Sequence, residues 1–105
     1  MSTISTHVLD TSAGQPAANI RVRLFSGDSE IGSGLTNADG RCASLVKSGM
    51  DLEPGVYRMV FEIGERFPEG FYPEVSITFV IRDASTHYHV PLLISPFGFT
   101  TYRGS

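Results

Sequence analysis

Hydrophobic and polar residues alternate with a period of two along most of this chain. Residues 20–25, 56–63 and 74–81 each place apolar side chains at every second position, with charged or polar residues between most of them. Successive side chains of a strand point to opposite faces of the sheet, so this pattern is typical of half-buried strands. Turns rich in Gly, Asn and Asp separate the segments. The pattern predicts an all-β, two-sheet antiparallel sandwich of about eight strands with little or no helix.

The length and composition predict a single domain over residues 1–105. At 41% hydrophobic and 18% charged residues, the chain is expected to fold into a globule. Helix is expected to be confined to one turn within residues 43–52. A net charge of −3 without a basic run argues against nucleic acid and anionic membranes as partners.

Cellular location is predicted from the signals that the sequence lacks. The longest apolar run, VPLLI, is too short to span a bilayer, and the first ten residues lack the pattern of an export signal. Cys42 is the one cysteine, so an internal disulfide is excluded, which suits a reducing compartment. We therefore expect a soluble, cytoplasmic protein.

The stretch STHYHVPLL, residues 85–93, carries two of the three histidines. Alternation turns one set of side chains into the sandwich, namely Tyr88, Val90, Leu92 and Ile94. It turns another set outward, namely His87, His89, Pro91 and Leu93. Because an outward Pro and Leu would otherwise meet water, we expect another copy of the chain to cover this face. Burial there would lower a histidine pKa and leave a neutral base near pH 7.

Two other interpretations of the histidines remain open. A strand histidine is more often a structural residue than a catalyst. Alternatively, the His-x-His spacing lets His87 and His89 reach one zinc or copper ion, with His7 as a third ligand. Against the metal, no cysteine or carboxylate follows at ligand spacing.

Two further segments contain candidate site residues. Arg41 follows an Asp-Gly turn, where its guanidinium could bind an oxyanion or a ureide-like edge, or simply lie on the surface. The ending FTTYRGS, residues 99–105, could be a loose tail or a strand end that supplies a polar pocket. The pattern of residues alone does not decide either case.

Four motifs together resemble a known family over essentially the whole chain. They are THVLDTSAGQPA, TNADGRC, GFYPEVSITFVI and HYHVPLLISPFGFTTYRGS. They closely resemble the 5-hydroxyisourate hydrolases, the enzymatic branch of the transthyretin family. The final YRGS is the most specific element, because it separates the hydrolases from the transthyretins that carry hormone.

The resemblance implies roles for individual residues. It matches His7, Arg41 and His89 to the family's catalytic residues, and His87 to a companion histidine of secondary importance. The resemblance also matches the last four residues to a substrate-binding signature, namely Tyr102, Arg103, Gly104 and Ser105. In the implied mechanism a neutral histidine activates water and Arg41 stabilises the oxyanion, with no metal or organic cofactor.

The resemblance also implies an assembly and a reaction. The assembly is a homotetramer, a dimer of dimers, with active sites in a central channel. The reaction is hydrolysis of 5-hydroxyisourate to 2-oxo-4-hydroxy-4-carboxy-5-ureidoimidazoline, between uric acid and allantoin in purine breakdown. A transthyretin-like carrier without catalysis, a His-x-His metal protein and an immunoglobulin-like interaction module are the alternatives. One departure is residues 64–70, which replace a longer and often helical family segment and are expected to form a tight turn.

Overall fold

A computed structural model describes residues 3–43, 45–46 and 50–105, and these residues form nine strands and no helix. The strands are β1 (Thr3–Asp10), β2 (Gln15–Pro16), β3 (Arg21–Ser26), β4 (Ser29–Leu35), β5 (Arg41–Cys42), β6 (Gly55–Glu62), β7 (Glu74–Ile81), β8 (His87–Ser95) and β9 (Gly98–Thr101). The helical turn expected within residues 43–52 falls partly on positions outside the described residues. No helix capable of crossing a membrane occurs in the described ranges.

The strands form two sheets, which confirms the predicted sandwich. One sheet has the order β2-β1-β8-β9, with β5 also paired to β1, and the other has the order β4-β3-β6-β7. Within the described residues, β7 and β9 are edge strands, each with a neighbour on one side only. A cavity between them is lined by residues of both, so the two edges lie on the same side of the sandwich.

The inward-facing sets predicted from alternation form the core. All four residues predicted to point inward from β8 are buried, with exposed fractions between 0% and 7%. They pack with the alternate residues of β3, β6 and β7 in one hydrophobic cluster. Buried aliphatic and aromatic side chains of both sheets therefore supply the main driving force for folding.

One neighbouring pair of strands is parallel. β1 and β8 pair over their full overlap in a parallel register, from Thr3 opposite His87 to Asp10 opposite Ile94. The other strand pairs of the described ranges are antiparallel. Parallel neighbours cannot be joined by a hairpin, and here β2 to β7 intervene in the chain. Alternation has the same period in both arrangements, so the sequence pattern did not reveal this pairing.

The C-terminal residues are ordered against β8. Gly98–Thr101 forms β9, and beyond it the amide of Gly104 donates a hydrogen bond to the carbonyl of His89 at 2.9 Å. A Cβ atom on Gly104 would lie 3.2 Å from Cγ of Pro91, which is buried within the single chain. Pro91 is therefore buried without a second copy, while cover of the rest of this face by another copy stays a prediction. The chain's own ending covers Pro91.

Residues 64–70 form turns without a helix, as expected from their short length. The amide of Phe67 donates to the carbonyl of Ile63 at 3.1 Å, and that of Gly70 donates to the carbonyl of Phe67 at 2.9 Å. Arg66 in this loop donates through Nε to Oδ2 of Asp10 at 2.9 Å. The loop is thereby tied to the end of β1.

Asp10 is a charged residue at the edge of the core. Burial raises its pKa, but hydrogen bonds from Ser12, Arg66 and the amide of Ala13 outweigh that effect and lower the pKa below its ordinary value. A carboxyl with a lowered pKa stabilises the fold above its unfolded pKa, and this contribution is lost as the pH falls through the folded value. Asp10 is therefore expected to stabilise the fold as a carboxylate.

We expect Arg66→Met to reduce the free energy of unfolding by about 1–3 kcal/mol at pH 7, because Asp10 is left buried with one partner fewer. The deficit in unfolding free energy should narrow as the pH falls below the ordinary aspartate pKa of about 4 and close as it falls through the lowered pKa of Asp10 in the wild-type protein. Denaturant unfolding of both proteins at several pH values measures this difference in unfolding free energy. Arg23→Met is the matched control, since Arg23 and Glu30 form an ion pair with side chains 39% and 41% exposed, and exposed ion pairs contribute little to stability. Equal losses in the two variants would contradict the expectation.

Candidate active site

The outer surface of the β1 sheet gathers most of the candidate residues. We call this surface the histidine face and define it by Thr3, Ser5, His7, Arg41, His87 and His89. The parallel register sets Thr3 opposite His87 and Ser5 opposite His89. The antiparallel pairing of β1 with β5 sets His7 opposite Arg41. The three predicted catalytic residues thus come from three strands of one sheet and share one face.

His7 is held by a backbone carbonyl. Its Nε2 lies 2.9 Å from the carbonyl oxygen of Asp39. A carbonyl oxygen only accepts hydrogen bonds, so Nε2 must carry a proton. In the neutral ring Nδ1 is then the nitrogen that can accept a hydrogen bond from water or from a ligand.

Arg41 is positioned by the turn that precedes it. Oδ1 of Asn37 accepts hydrogen bonds from the amides of Asp39 at 2.9 Å and Arg41 at 3.0 Å. Cys42, the next residue, is buried opposite Thr6, so alternation turns Arg41 outward beside His7. Arg41 itself is exposed. The guanidinium is available to an anionic or polar group on the histidine face.

Gly40 allows this turn to lie against β1. Its φ is +78°, and its carbonyl accepts a hydrogen bond from the amide of Val8 at 2.7 Å. A Cβ atom at this position would lie 2.3 Å from the carbonyl oxygen of Val8. Glycine is therefore required both by the backbone angle and by the close approach of the two segments.

His89 is half-buried and has a lowered pKa. Burial is the largest cause, because it disfavours the charged ring, and the positive charge of Arg41 lowers the pKa further. His87 and His7 act in the same direction, while Ser5 opposes them. His89 is therefore neutral near pH 7 and can accept a proton. The direction of the pKa shift is the one expected from the sequence, and the role of His89 as a base stays a prediction.

A serine links the two histidines of β8. Oγ of Ser5 lies 2.8 Å from Nδ1 of His89 and 2.8 Å from Nε2 of His87. Nδ1 of the exposed His87 also makes a hydrogen bond with Oγ1 of Thr3. The two imidazoles are nearly parallel, with ring centroids 6.5 Å apart and an interplanar angle of 19°.

The four terminal residues divide between two surfaces. Gly104 lies on the histidine face, where an added Cβ would be 2.5 Å from Cδ2 of His89. Arg103 turns the other way and places its guanidinium carbon 4.7 Å from the ring centroid of Tyr88. Tyr102 is 58% exposed and, with Arg103, lines a 330 Å³ cavity at the open edge between the sheets. Ser105 is exposed.

A larger groove lies away from these residues. It has a volume of 1090 Å³, is lined by residues of β3, β6 and the following loop, and contains none of the predicted site residues. Its charged residues include Arg23, which pairs with Glu30 and Glu62. The chemistry predicted from the sequence is therefore separate from this larger groove.

In the described ranges no cluster of three or more histidine, cysteine, aspartate or glutamate side chains is arranged to hold a metal ion. His87 and His89 instead make hydrogen bonds to hydroxyl groups. The geometry does not assemble the His7, His87 and His89 ligand set considered from the sequence.

Sequence reasoning missed Ser5, Thr3 and Asn37. Ser5 is two residues from His7, so a strand places both on one face, and this spacing was a usable signal. Its contact with His89 depends on the parallel register, which local sequence does not encode. Asn37 follows a common rule, since asparagine often accepts hydrogen bonds from backbone amides in turns.

Comparisons with known proteins agree with this architecture. The HIUase/Transthyretin family model matches residues 4–104. A 5-hydroxyisourate hydrolase of Pseudomonas aeruginosa is 43% identical over 117 aligned residues, covering 100% of this chain and 93% of the relative. The structure of Klebsiella pneumoniae 5-hydroxyisourate hydrolase superposes with a TM-score of 0.90 at 40% identity, covering 100% of both chains. The transthyretin of Sparus aurata superposes with a TM-score of 0.84 at 25% identity, covering 96% of this chain and 95% of that one.

We expect Gly40→Ala to lower the free energy of unfolding by roughly 2–5 kcal/mol, because it adds strain at positive φ and separates Gly40 from Val8. Gly14→Ala is the control, since Gly14 has φ of +67° but no atom lies within 4 Å of the point that its Cβ would occupy. It should lose only the strain energy, about 1–2 kcal/mol. Denaturant unfolding of both variants measures the difference. A Gly40 variant as stable as the Gly14 variant would show that close packing against β1 contributes nothing.

Proposed function

Because this chain belongs to the HIUase/Transthyretin family, we propose that it hydrolyses 5-hydroxyisourate to 2-oxo-4-hydroxy-4-carboxy-5-ureidoimidazoline, between uric acid and allantoin. The full-length similarity to curated 5-hydroxyisourate hydrolases supports the substrate and the reaction class. A bifunctional uric acid degradation protein of Arabidopsis thaliana is also 41% identical over 97% of this chain. The enzyme class is thus a cyclic amide hydrolase of purine catabolism.

One observation carries the mechanism. His89 is half-buried, has a lowered pKa, and lies on the same face as His7 and Arg41. A general base for water must be neutral at the working pH and must stand beside a group that stabilises developing negative charge. The histidine face supplies both.

We assign His89 as the base. Its Nδ1 bonds to Ser5, and within the described residues no group bonds to Nε2. Nε2 would take a proton from water as the water oxygen adds to a carbonyl carbon of the substrate ring. When the tetrahedral intermediate collapses, the C–N bond of the cyclic amide breaks and the proton passes from His89 to the leaving nitrogen. Nδ1 of His7 would accept a hydrogen bond from the same water and orient it.

Arg41 would stabilise the oxyanion. Its guanidinium carries a permanent charge and a fork of N–H donors, which suits the oxygen of a tetrahedral intermediate. The same charge disfavours a protonated His89 and so keeps the base active. One residue therefore acts on both the substrate and the base. No step in this mechanism requires a metal or an organic cofactor.

The terminal residues would bind the substrate ring. Gly104, packed against His89, brings backbone groups next to the base, and Ser105 follows with a hydroxyl group. Tyr102 would add a phenol group from a neighbouring position. Arg103 stacks on Tyr88 in the single chain, so its contribution would be to hold the strand end in place.

The proposed assembly is a homotetramer, a dimer of dimers, with the histidine faces around a central channel. The similarity to transthyretins over almost the whole chain supports assembly from several copies. Half-buried His89 and exposed Arg41 and His87 leave the face open to a second copy in the single chain. We also propose a cytoplasmic location, with neither nucleic acid nor membrane as a partner.

The direct test follows the ultraviolet absorbance of freshly prepared 5-hydroxyisourate with and without the protein. We expect the protein to speed its loss, and His89→Asn to keep the fold and the assembly while reducing kcat by about 10²- to 10⁴-fold. Decay at the spontaneous rate with the wild-type protein would favour a carrier. Near-normal turnover by the variant would remove His89 from the mechanism.

The pH dependence tests the second role of Arg41. Since His89 must be neutral, kcat/KM should fall as the pH drops through its pKa, which lies below the ordinary value of about 6.5. Removing a nearby positive charge raises a histidine pKa, so Arg41→Gln should move this acidic limb to higher pH. Arg41→Lys keeps the charge, so the acidic limb of its pH profile should stay in place. Its turnover should still fall, because lysine lacks the forked N–H donors of a guanidinium. Identical limbs in the two variants would show that the charge of Arg41 does not control His89.

A further inference from the structure

A continuous hydrogen-bonded chain runs from the proposed base to an exposed hydroxyl group. It begins at Nδ1 of His89, passes through Oγ of Ser5 to Nε2 of His87, and continues from Nδ1 of His87 to Oγ1 of Thr3. His89 is half-buried, whereas His87 and Thr3 are exposed. The chain therefore connects the site to solvent along the surface of β1 and β8.

The protons of this chain are constrained because a serine hydroxyl has one hydrogen. Ser5 contacts two ring nitrogens at 2.8 Å and can donate to only one of them, and when it does so it accepts from the other. In the first arrangement Nδ1 of His89 donates to Ser5 and Ser5 donates to Nε2 of His87. In the second arrangement both bonds run in the opposite direction. With both rings neutral, fixing the direction at Ser5 fixes the tautomers of both histidines.

Of these two arrangements, only the first makes His89 a base. It places the proton of His89 on Nδ1 and leaves a lone pair on Nε2, the nitrogen without a partner among the described residues. In the second arrangement Nε2 already carries a proton and cannot take one from water. The tautomer of a catalytic histidine is commonly set by the hydrogen bond at its other nitrogen.

We infer that Ser5 is a positioning residue that holds His89 in its Nδ1–H tautomer, and that His87 and Thr3 complete the chain that stabilises this state. The inference rests on the proposed function, because it deepens the role of His89 as base. In the first arrangement Thr3 accepts from Nδ1–H of His87, which leaves the hydroxyl hydrogen of the exposed Thr3 for solvent.

The same chain offers a balanced route for a proton. When Nε2 of His89 gains a proton from water, Nδ1 can pass its proton to Ser5, which passes its own to Nε2 of His87. Nδ1 of His87 then passes its proton to Thr3, whose original proton leaves to solvent. One proton enters at His89 and one leaves at Thr3. As Nε2 of His89 later gives its proton to the leaving nitrogen, the chain runs in reverse, taking one proton from solvent at Thr3 and restoring Nδ1–H of His89, so the cycle balances without an oxidant or reductant. His87 is thereby given a role that the sequence left as secondary.

The kinetic test uses Ser5→Ala, with Ser5→Thr as the conservative variant that keeps the hydroxyl. We expect Ser5→Ala to lower kcat for 5-hydroxyisourate by roughly 10- to 100-fold, as for other partners that orient a site histidine. KM should change little, because Ser5 does not touch the substrate, and Ser5→Thr should recover most of the loss. Ser33→Ala, at an exposed serine of β4 in the other sheet, controls for removing a strand hydroxyl. Unchanged kcat in Ser5→Ala would overturn the inference.

A double variant tests whether the members act as one chain. His87→Phe removes both ring nitrogens but keeps an aromatic ring beside His89. Residues that act through one unit give non-additive losses. We therefore expect the double variant, which combines Ser5→Ala with His87→Phe, to show no greater loss of kcat than the more impaired of the two single variants. Losses that multiply would show that His87 and Ser5 act independently.

Nitrogen-15 NMR of the imidazole rings gives a measurement that needs no substrate. At neutral pH the wild-type protein should show His89 protonated at Nδ1 and unprotonated at Nε2, and Ser5→Ala should lose this preference. A wild-type signal from the Nε2–H tautomer, or the same signal in both proteins, would overturn the inference. If the protein failed to hydrolyse 5-hydroxyisourate but showed the expected tautomer, the proposed function would fail while the hydrogen-bonded chain stood.

Discussion

The site depends on the parallel register of β1 and β8. Eight residue pairs hold this register, and it sets Ser5 beside His89 while the intervening residues of both strands enter the core. A slip of one residue would turn the partner of each histidine to the opposite face of the sheet. The same ladder of backbone hydrogen bonds therefore fixes both the hydrophobic interior and the chemistry outside it. Neither can shift without the other.

The electrostatics of the face follow from placing cationic groups around a half-buried ring. A histidine in water has an ordinary pKa, but burial and the positive charge of Arg41 both favour the neutral form of His89 and lower its pKa. The strand ending contributes to this burial, because Gly104 packs on His89 and next to Pro91. A glycine is needed there, since any larger residue would displace the ring that it covers. The backbone that follows β9 thus adds to the burial that lowers the pKa of His89.

The sequence predicted the features that depend on alternation and missed those that depend on register. Tyr88 and Leu92 were predicted to point inward, and His87 and His89 outward, because the side-chain period of a strand is local. The family resemblance assigned site roles to His7, Arg41 and the last four residues. Pro91 was predicted to be covered by another copy, because alternation does not show that residues following β9 pack next to it. Ser5 was missed because 84 positions of sequence separate it from His89.

The unpaired edges of β7 and β9 have a consequence for handling the protein. Both lie on one side of the sandwich, and Val80 in β7 is 43% exposed. An isolated chain at high dilution would offer two rows of backbone donors and acceptors, together with apolar side chains, to any other extended polypeptide. How well these two edges are covered therefore decides how readily the protein associates through its strands, and the stability of each folded sandwich does not by itself prevent such association.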